Sequence, residues 1–209
     1  MRILVVGATG GTGREVVRLG TEAGLTMVPM VRKADQADEF TTPQTVVADA
    51  LDPGQVDTAI VGVDAVICCL GVRLGTTPGR VRSEGTTNLV KALERSGPQR
   101  LVAVSTVGVG STIPLQSRPA RWAWPRMVGT ERLEEAARAE DAIMSSALDW
   151  TLVRPPRLTD STETADIVVG PSVPTGLRST LGRAALATVL IQSTVDHAWS
   201  RQCVTAVER

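Results

Sequence analysis

The sequence predicts an α/β protein, a doubly wound parallel sheet in one domain with a small lobe near its C-terminus. Three observations predict it. Apolar runs of strand length alternate with longer amphipathic segments, the pattern of successive β-α-β units. Most of the strand candidates are almost continuously apolar, as strands covered on both faces must be. The length of 209 residues and the 43% hydrophobic content suffice for one sizeable core.

The elements follow in order. The first strand is expected at 2–6 (RILVV), followed by Gly7-Ala8-Thr9-Gly10-Gly11-Thr12-Gly13 and a helix over about 12–23. Further strands are expected at 26–31, 45–48, 64–69, 100–105 and 150–154, with helices at about 53–61, 80–96 and 128–146. In 80–96, Leu89, Val90 and Leu93 share one stripe, and Gly97-Pro98 is a fitting stop. Residues 155–178 hold four prolines and read as irregular, with one short strand near 166–169. A last helix at about 179–192 and a strand near 202–207 close the chain. The stretch 107–127 has no clear periodicity, and Pro114, Pro119 and Pro125 limit regular structure there. Both 107–127 and 155–178 are expected to be substrate-side loops of a single domain spanning 1–209.

Composition excludes several functions. The 22 basic and 22 acidic residues balance, so a clustered nucleic-acid footprint is not expected. No apolar run approaches the ~20 residues of a membrane span. The short run Ile3–Val6 is no secretory signal, and Cys68-Cys69 with a distant Cys203 is no disulfide framework, so a cytoplasmic location with reduced thiols is expected. The chain has no tyrosine and a single histidine, His197, which removes any tyrosyl acid and any two-histidine metal site. Twenty of the basic residues are arginines, a bias that genome composition explains as readily as function. The expected partner is a small planar molecule, with no nucleic acid, membrane or metal, and the protein is expected as a monomer or small homo-oligomer.

The glycine turn carries the first chemistry. Gly7, Gly10 and Gly13 are spaced G-x-x-G-x-x-G between a strand and a helix. Such glycines allow a tight turn and close approach of a pyrophosphate, which the free N–H groups of the helix N-terminus then receive; this is the dinucleotide-binding turn of a Rossmann-like sheet. Arg32-Lys33 stands after the second strand, where an NAD enzyme places an acid for the ribose. A guanidinium suits a 2′-phosphate, so NADP(H) is favoured over NAD(H), although Asp35 nearby leaves a simple solvated loop open.

These features resemble a known family. G-A-T-G-G-T-G, V-R-K after strand two, V-A-D-A after strand three, L-G-V-R at Leu70–Arg73, S-E-G-T-T-N-L-V at Ser83–Val90 and W-T-L-V-R-P-P are similar to the atypical short-chain dehydrogenase/reductase superfamily, in its NmrA-like group, and most to its biliverdin-IXβ reductase/flavin reductase type. The resemblance implies that Gly7, Thr9, Gly10, Gly11, Thr12 and Gly13 hold the phosphates and Arg32 with Lys33 the 2′-phosphate. It implies that Asp49 and Ala50 meet the adenine, and that Leu70, Gly71 and Arg73 border the nicotinamide. Ser105 and Thr106 would lie beside the nicotinamide as catalytic candidates.

One family feature is missing. Many short-chain dehydrogenases protonate a carbonyl with Tyr-x-x-x-Lys, yet 127–141 offers only arginines and acids, read here as the solvated face of a helix. Hydride transfer to a conjugated acceptor (flavin, tetrapyrrole or quinone-like) needs no such acid, because the product anion is delocalised and water protonates it. Where the biliverdin-type relative has histidine after Pro-Pro, this chain has Arg157, able to hold a substrate carboxylate or phosphate. Trp122 and Trp124 would point the same way on an extended backbone and stack on a planar acceptor, or else rest on the domain. A nucleotide-binding redox sensor without turnover is the rival expectation.

Overall fold

The computed structural model describes residues 1–42, 44–72, 76–77, 79–161 and 166–209. In chain order the elements are β1 (Arg2–Val6), α1 (Gly11–Glu22), β2 (Thr26–Val31), β3 (Val46–Val47), α2 (Pro53–Ala59), β4 (Ala65–Cys68), α3 (Val81–Ser96), β5 (Arg100–Val104), α4 (Arg118–Val128), α5 (Thr130–Met144), β6 (Asp149–Arg154), β7 (Arg157–Thr159), β8 (Ile167–Gly170), β9 (Thr180–Gly182), α6 (Arg183–Val195) and β10 (Gln202–Glu208). The main sheet has eight strands in the order β3-β2-β1-β4-β5-β6-β10-β8. All its pairings are parallel except β8 on β10.

Strand periodicity divides the core into two layers. In β1, Ile3 and Val5 pack with Val16, Leu186 and Leu190, whereas Leu4 and Val6 pack with Leu89, Leu93 and Ile143. Ile67 and Val102 follow the first pair, and Val66 with Leu101 the second. Successive side chains therefore feed opposite faces. One face is covered by α1 packed on α6, the other by α3 packed on α5. The result is a single Rossmann-like domain.

Three expectations need correction. The stretch 107–127 is not irregular: a 3-10 turn at Gly110–Thr112 is followed by helix α4. Pro119 lies in its first turn, where no N–H is needed, and Ser117 Oγ accepts from the Ala120 N–H at 3.4 Å. Pro125 falls near its end, and Gly129, at φ 93°, separates it from α5. The expected helix at 179–192 begins only at Arg183, because Thr180–Gly182 is spent on a two-stranded parallel ribbon with β7. The segment 155–178 is tied to α4's approach by Ser117 N–H donating to Thr175 O (2.9 Å) and Thr175 N–H to Leu115 O (3.2 Å).

The third correction concerns α5. Its charged run is not all solvated: Glu135 and Glu140 are buried, at 4% and 2% exposure. Arg154 at the end of β6 donates to Glu140 from Nε (2.8 Å) and Nη2 (2.6 Å), and from Nη1 to Ser111 Oγ (2.8 Å). This fork is a buried ion pair tying α5, the sheet and the turn before α4. Breaking one side leaves the other charge uncompensated. Glu140→Leu is expected to lower stability to urea unfolding by about 3–5 kcal/mol, and the combination with Arg154→Met to recover most of that loss.

Candidate active site

Parallel pairing sets the carboxyl ends of β1 to β6 along one edge of the sheet. Gly7 follows β1, Arg32 follows β2, Asp49 lies just past β3, Leu70 past β4, Ser105 past β5 and Pro155 past β6. The strand order turns back between β1 and β4, and such switch points open a crevice that receives ligands.

The turn at that crevice is built for close approach. Gly7 stands at φ 81°, and a Cβ there would lie 2.8 Å from the Cys69 carbonyl. Gly10 N–H donates to Gly7 O (3.1 Å), and Arg14 N–H to Gly10 O (2.9 Å), starting α1. A Cβ on Gly13 would run into the Gly7 carbonyl, so this glycine lets α1 sit against the turn. Thr12 and Gly13 are buried, whereas Gly10 and Gly11 are exposed at the helix tip. No side chain caps α1 and its first turn holds no acid, which leaves the helix terminus open to an anion. These observations fit a dinucleotide pyrophosphate.

The flanks are arranged around this turn. Arg32 and Lys33 are exposed and make no ion pair among the described residues. Asp49 accepts from the Leu51 N–H at 2.9 Å, and the Ala50 carbonyl accepts from Asn88 Nδ2 at 3.0 Å. Gly85 of α3 passes so close to Ala50 and Leu70 that a Cβ would stand 3.1 and 2.9 Å from them. Arg73 lies outside the described residues. Arg183 crosses above the glycine turn, where a Cβ on Gly11 would meet its Cδ and Nε at 2.8 Å.

Beside the turn lies a cavity of about 390 Å³ reached by Ser105, Thr106, Trp124, Pro155, Pro156 and Arg157. Met127, Val128 and Leu158 add apolar wall, while Arg82, Arg132, Arg183 and Glu135 add charge. Ser105 Oγ and Trp124 Nε1 are buried with no hydrogen-bond partner among the described residues. Both residues line the cavity, but these two atoms are themselves closed to solvent. The Thr106 hydroxyl donates to the Val107 carbonyl at 3.2 Å.

The two tryptophans part company. Two residues apart on a helix they face nearly opposite sides. Trp124 is 6% exposed and lies over Gly108 toward the cavity, while Trp122 is 65% exposed with Arg126 4.2 Å above its ring. The expectation that both indoles share one direction is therefore corrected. Arg121 and Arg126 are likewise turned onto backbone carbonyls of their own segment.

Sequence reading missed Arg82, Arg132, Glu135 and Arg183 as cavity residues. Glu135 accepts from Ser83 Oγ (2.9 and 3.0 Å), Ser83 N–H (3.2 Å) and Arg138 Nη2 (2.6 Å). Burial alone would raise its pKa, but the hydrogen bonds from Arg138 and Ser83 outweigh it and hold the carboxyl below its ordinary range. It is thus an acceptor, not a proton donor. Burial pushes the Cys68 and Cys69 thiols up, against thiolate chemistry at the end of β4. His197 is turned to Asp149 (2.8 Å), the first residue of β6, at the opposite end of the strands from the cavity.

A family model for NAD(P)H-binding proteins matches residues 7–197. The chain belongs to the NAD(P)H-binding family. This NAD(P)H-binding chain is 29% identical, over its whole length, to an uncharacterized chloroplastic protein of Arabidopsis thaliana, spanning 77% of it. Over 73% of its length it is 30% identical to the NAD(P)H azoreductase of Xenophilus azovorans, but spans only 47% of that relative. Among solved structures, a short-chain dehydrogenase/reductase of Veillonella parvula in complex with NADP gives a TM-score of 0.82 at 15% identity, covering 99% of this chain and 94% of that one. An anaerobillin reductase of Escherichia coli gives 0.81 at 22% identity, covering 100% and 97%. At such identities these two structures establish the shared fold. Among the described residues no helix is long and apolar enough to cross a membrane.

The glycine turn can be tested against a control glycine. Gly7→Ala is expected to lose about 1–2 kcal/mol from its left-handed backbone and to weaken NADP+ binding in calorimetric titration more than tenfold. Gly24→Ala, at φ 79° with open space around it, is expected to carry the backbone cost alone and to leave NADP+ affinity unchanged.

Proposed function

We propose that the protein is an NADP(H)-dependent reductase that passes hydride to a planar conjugated acceptor held beside Ser105. The observation that carries this reading is the largely apolar cavity next to the phosphate turn, with Ser105 Oγ and Trp124 Nε1 unpartnered on its wall among the described residues. Bound NADP(H) would supply the hydride.

The chain's own residues then do the following. The Gly7–Gly13 turn, with Thr9, Gly10, Gly11 and Thr12, and the open end of α1 hold the pyrophosphate. Arg32, with Lys33 beside it, pairs with the 2′-phosphate and gives the preference for NADP(H) over NAD(H). Asp49 and Ala50 border the adenine, and Leu70 and Gly71 the nicotinamide. Trp124 offers a flat wall to the acceptor while Ser105, aided by Thr106, donates a hydrogen bond to it. Arg157 draws an anionic substituent, and Trp122 has no part in the cavity. Water supplies the proton, since the acceptor anion is delocalised and the ionised Glu135 has none to give. The azoreductase and anaerobillin reductase names of two similar proteins support a conjugated acceptor. The three free cysteines support a reducing compartment, the cytosol.

A nucleotide-binding redox sensor without turnover is the second reading, favoured by the lack of any tyrosine. NADPH consumption with flavins, quinones, azo dyes and tetrapyrroles separates the two, and no turnover on any of them would discard the reductase. Arg32→Ala is expected to weaken NADPH binding at least about tenfold while leaving NADH unchanged, as loss of a charge-assisted contact should. Equal affinity of the wild type for both cofactors would reject the 2′-phosphate contact. On a reducible acceptor, Trp124→Ala is expected to lower kcat/KM about tenfold or more and Trp122→Ala to change it less than twofold. The reverse order would remove Trp124 from the site.

A further inference from the structure

The arginines around the cavity are anchored differently. Arg82 donates from Nε to Leu70 O at 3.1 Å and Arg132 from Nη1 to Val72 O at 3.0 Å, so both are tied to backbone just past β4. Arg183, the first residue of α6, reaches elsewhere. Its side chain crosses the tip of α1, where a Cβ on Gly11 would stand 2.8 Å from its Cδ and Nε and 3.6 Å from its Cζ. The guanidinium there meets Asp160, just past β7, with Nη1 2.5 Å from Oδ1. The Asp160 side chain is 90% exposed, and that of Arg183 29%.

Topology puts the two groups together. Helix α1 starts where β1 ends, and α6 ends where β10 begins, with both strands paired in parallel to their neighbours. The two packed helices therefore start at the same edge of the sheet. This juxtaposition has an electrostatic cost. The first N–H groups of α1 form the positive end of the helix dipole, and neither a capping side chain nor an acid in the first turn offsets it. A guanidinium laid over that end adds like charge. Asp160 answers it weakly, because a carboxylate so open to water gains little from an ion pair. An anion lying between the tip of α1 and Arg183 would satisfy both.

We infer that Arg183 is a clamp on the dinucleotide pyrophosphate and that Asp160 competes with the cofactor for it: on binding, the guanidinium exchanges the Asp160 carboxylate for phosphate oxygens above Gly11. This rests on reading the Gly7–Gly13 turn as the pyrophosphate site. A guanidinium suits the exchange because its fork of N–H donors matches a phosphate as well as a carboxylate. The clamp is indifferent to the 2′-phosphate, which separates its role from that of Arg32.

The test is calorimetric titration of the intact protein with NADP+, NAD+, ADP and 2′-AMP, of which 2′-AMP alone lacks the pyrophosphate. Arg183→Gln is expected to weaken NADP+, NAD+ and ADP at least about tenfold each and to leave 2′-AMP within about twofold. The ratio of NADP+ to NAD+ affinity should not move. Arg183→Lys, which keeps the charge, should retain part of the affinity and so guards against a folding defect. Asp160→Asn is expected to tighten NADP+ about threefold or more in the wild type and to do nothing on top of Arg183→Gln. That pair of measurements isolates competition, since a carboxylate that only repelled the cofactor through space would act in both backgrounds. An Arg183→Gln that weakens 2′-AMP as much as ADP overturns the inference. So does an Asp160→Asn that weakens NADP+, or that tightens it equally with and without Arg183. Loss of NADP+ affinity in Gly7→Ala but not in Arg183→Gln removes the clamp and keeps the turn as the pyrophosphate site. Indifference of NADP+, NAD+ and ADP to both changes removes the two together.

Discussion

Everything in this fold depends on β1 being paired in parallel on both sides and buried on both faces. With β2 on one edge and β4 on the other, its backbone groups are satisfied by neighbours that point the same way. That one arrangement sends every βα junction to the same edge of the sheet. It also forces the chain to pass from β1 into α1 beside the Cys69–Leu70 backbone, a passage only glycine at Gly7 allows without displacement. The phosphate turn and the strand that would border a nicotinamide are in contact for this reason. The position of the cavity follows too, since Ser105 and Pro155 leave the next two strands on the same side.

Where the physics is local, the sequence was readable. Apolar runs covered on two faces, a glycine turn between strand and helix, and Gly97-Pro98 after a periodic segment each constrain the backbone within a few residues. The glycine turn could therefore be placed from residue spacing. The cavity beside it could not, because its walls come from α3, α4, α5 and the segment after β6, which meet only in three dimensions. Helix α4 was hidden by its prolines: a proline in the first turn removes no hydrogen bond, and Pro125 lies where the helix is about to end. Trp122 and Trp124 were read at the spacing of a strand and are set apart by that of a helix.

The buried acids of α5 were hidden in a different way. Ala136, Ala139 and Ile143 mark a modest apolar stripe, and the charges around it resemble a solvated face. The readable signal lay elsewhere in the chain. An arginine at the buried end of a strand, Arg154, needs a carboxylate, and Glu140 is the acid that α5 brings to it. Buried charge announces its partner more reliably than helical periodicity does. Arg82 makes the complementary case, since the described residues bring a cation to the cavity and no acid into contact with it.

The backbone bonds between Leu115–Ser117 and Thr175 join two stretches of chain that are about sixty residues apart in sequence. One lies just before α4, the helix that carries Trp124, and the other in the segment after β6, so each holds the other in register. Neither can swing outward alone without giving up main-chain hydrogen bonds in both. Displacement of the two stretches is thus a single cooperative event rather than two loops moving separately. Any shift of the start of α4, and of the Trp124 it carries, then draws on main-chain bonding outside the cavity and not on the side chains that line it.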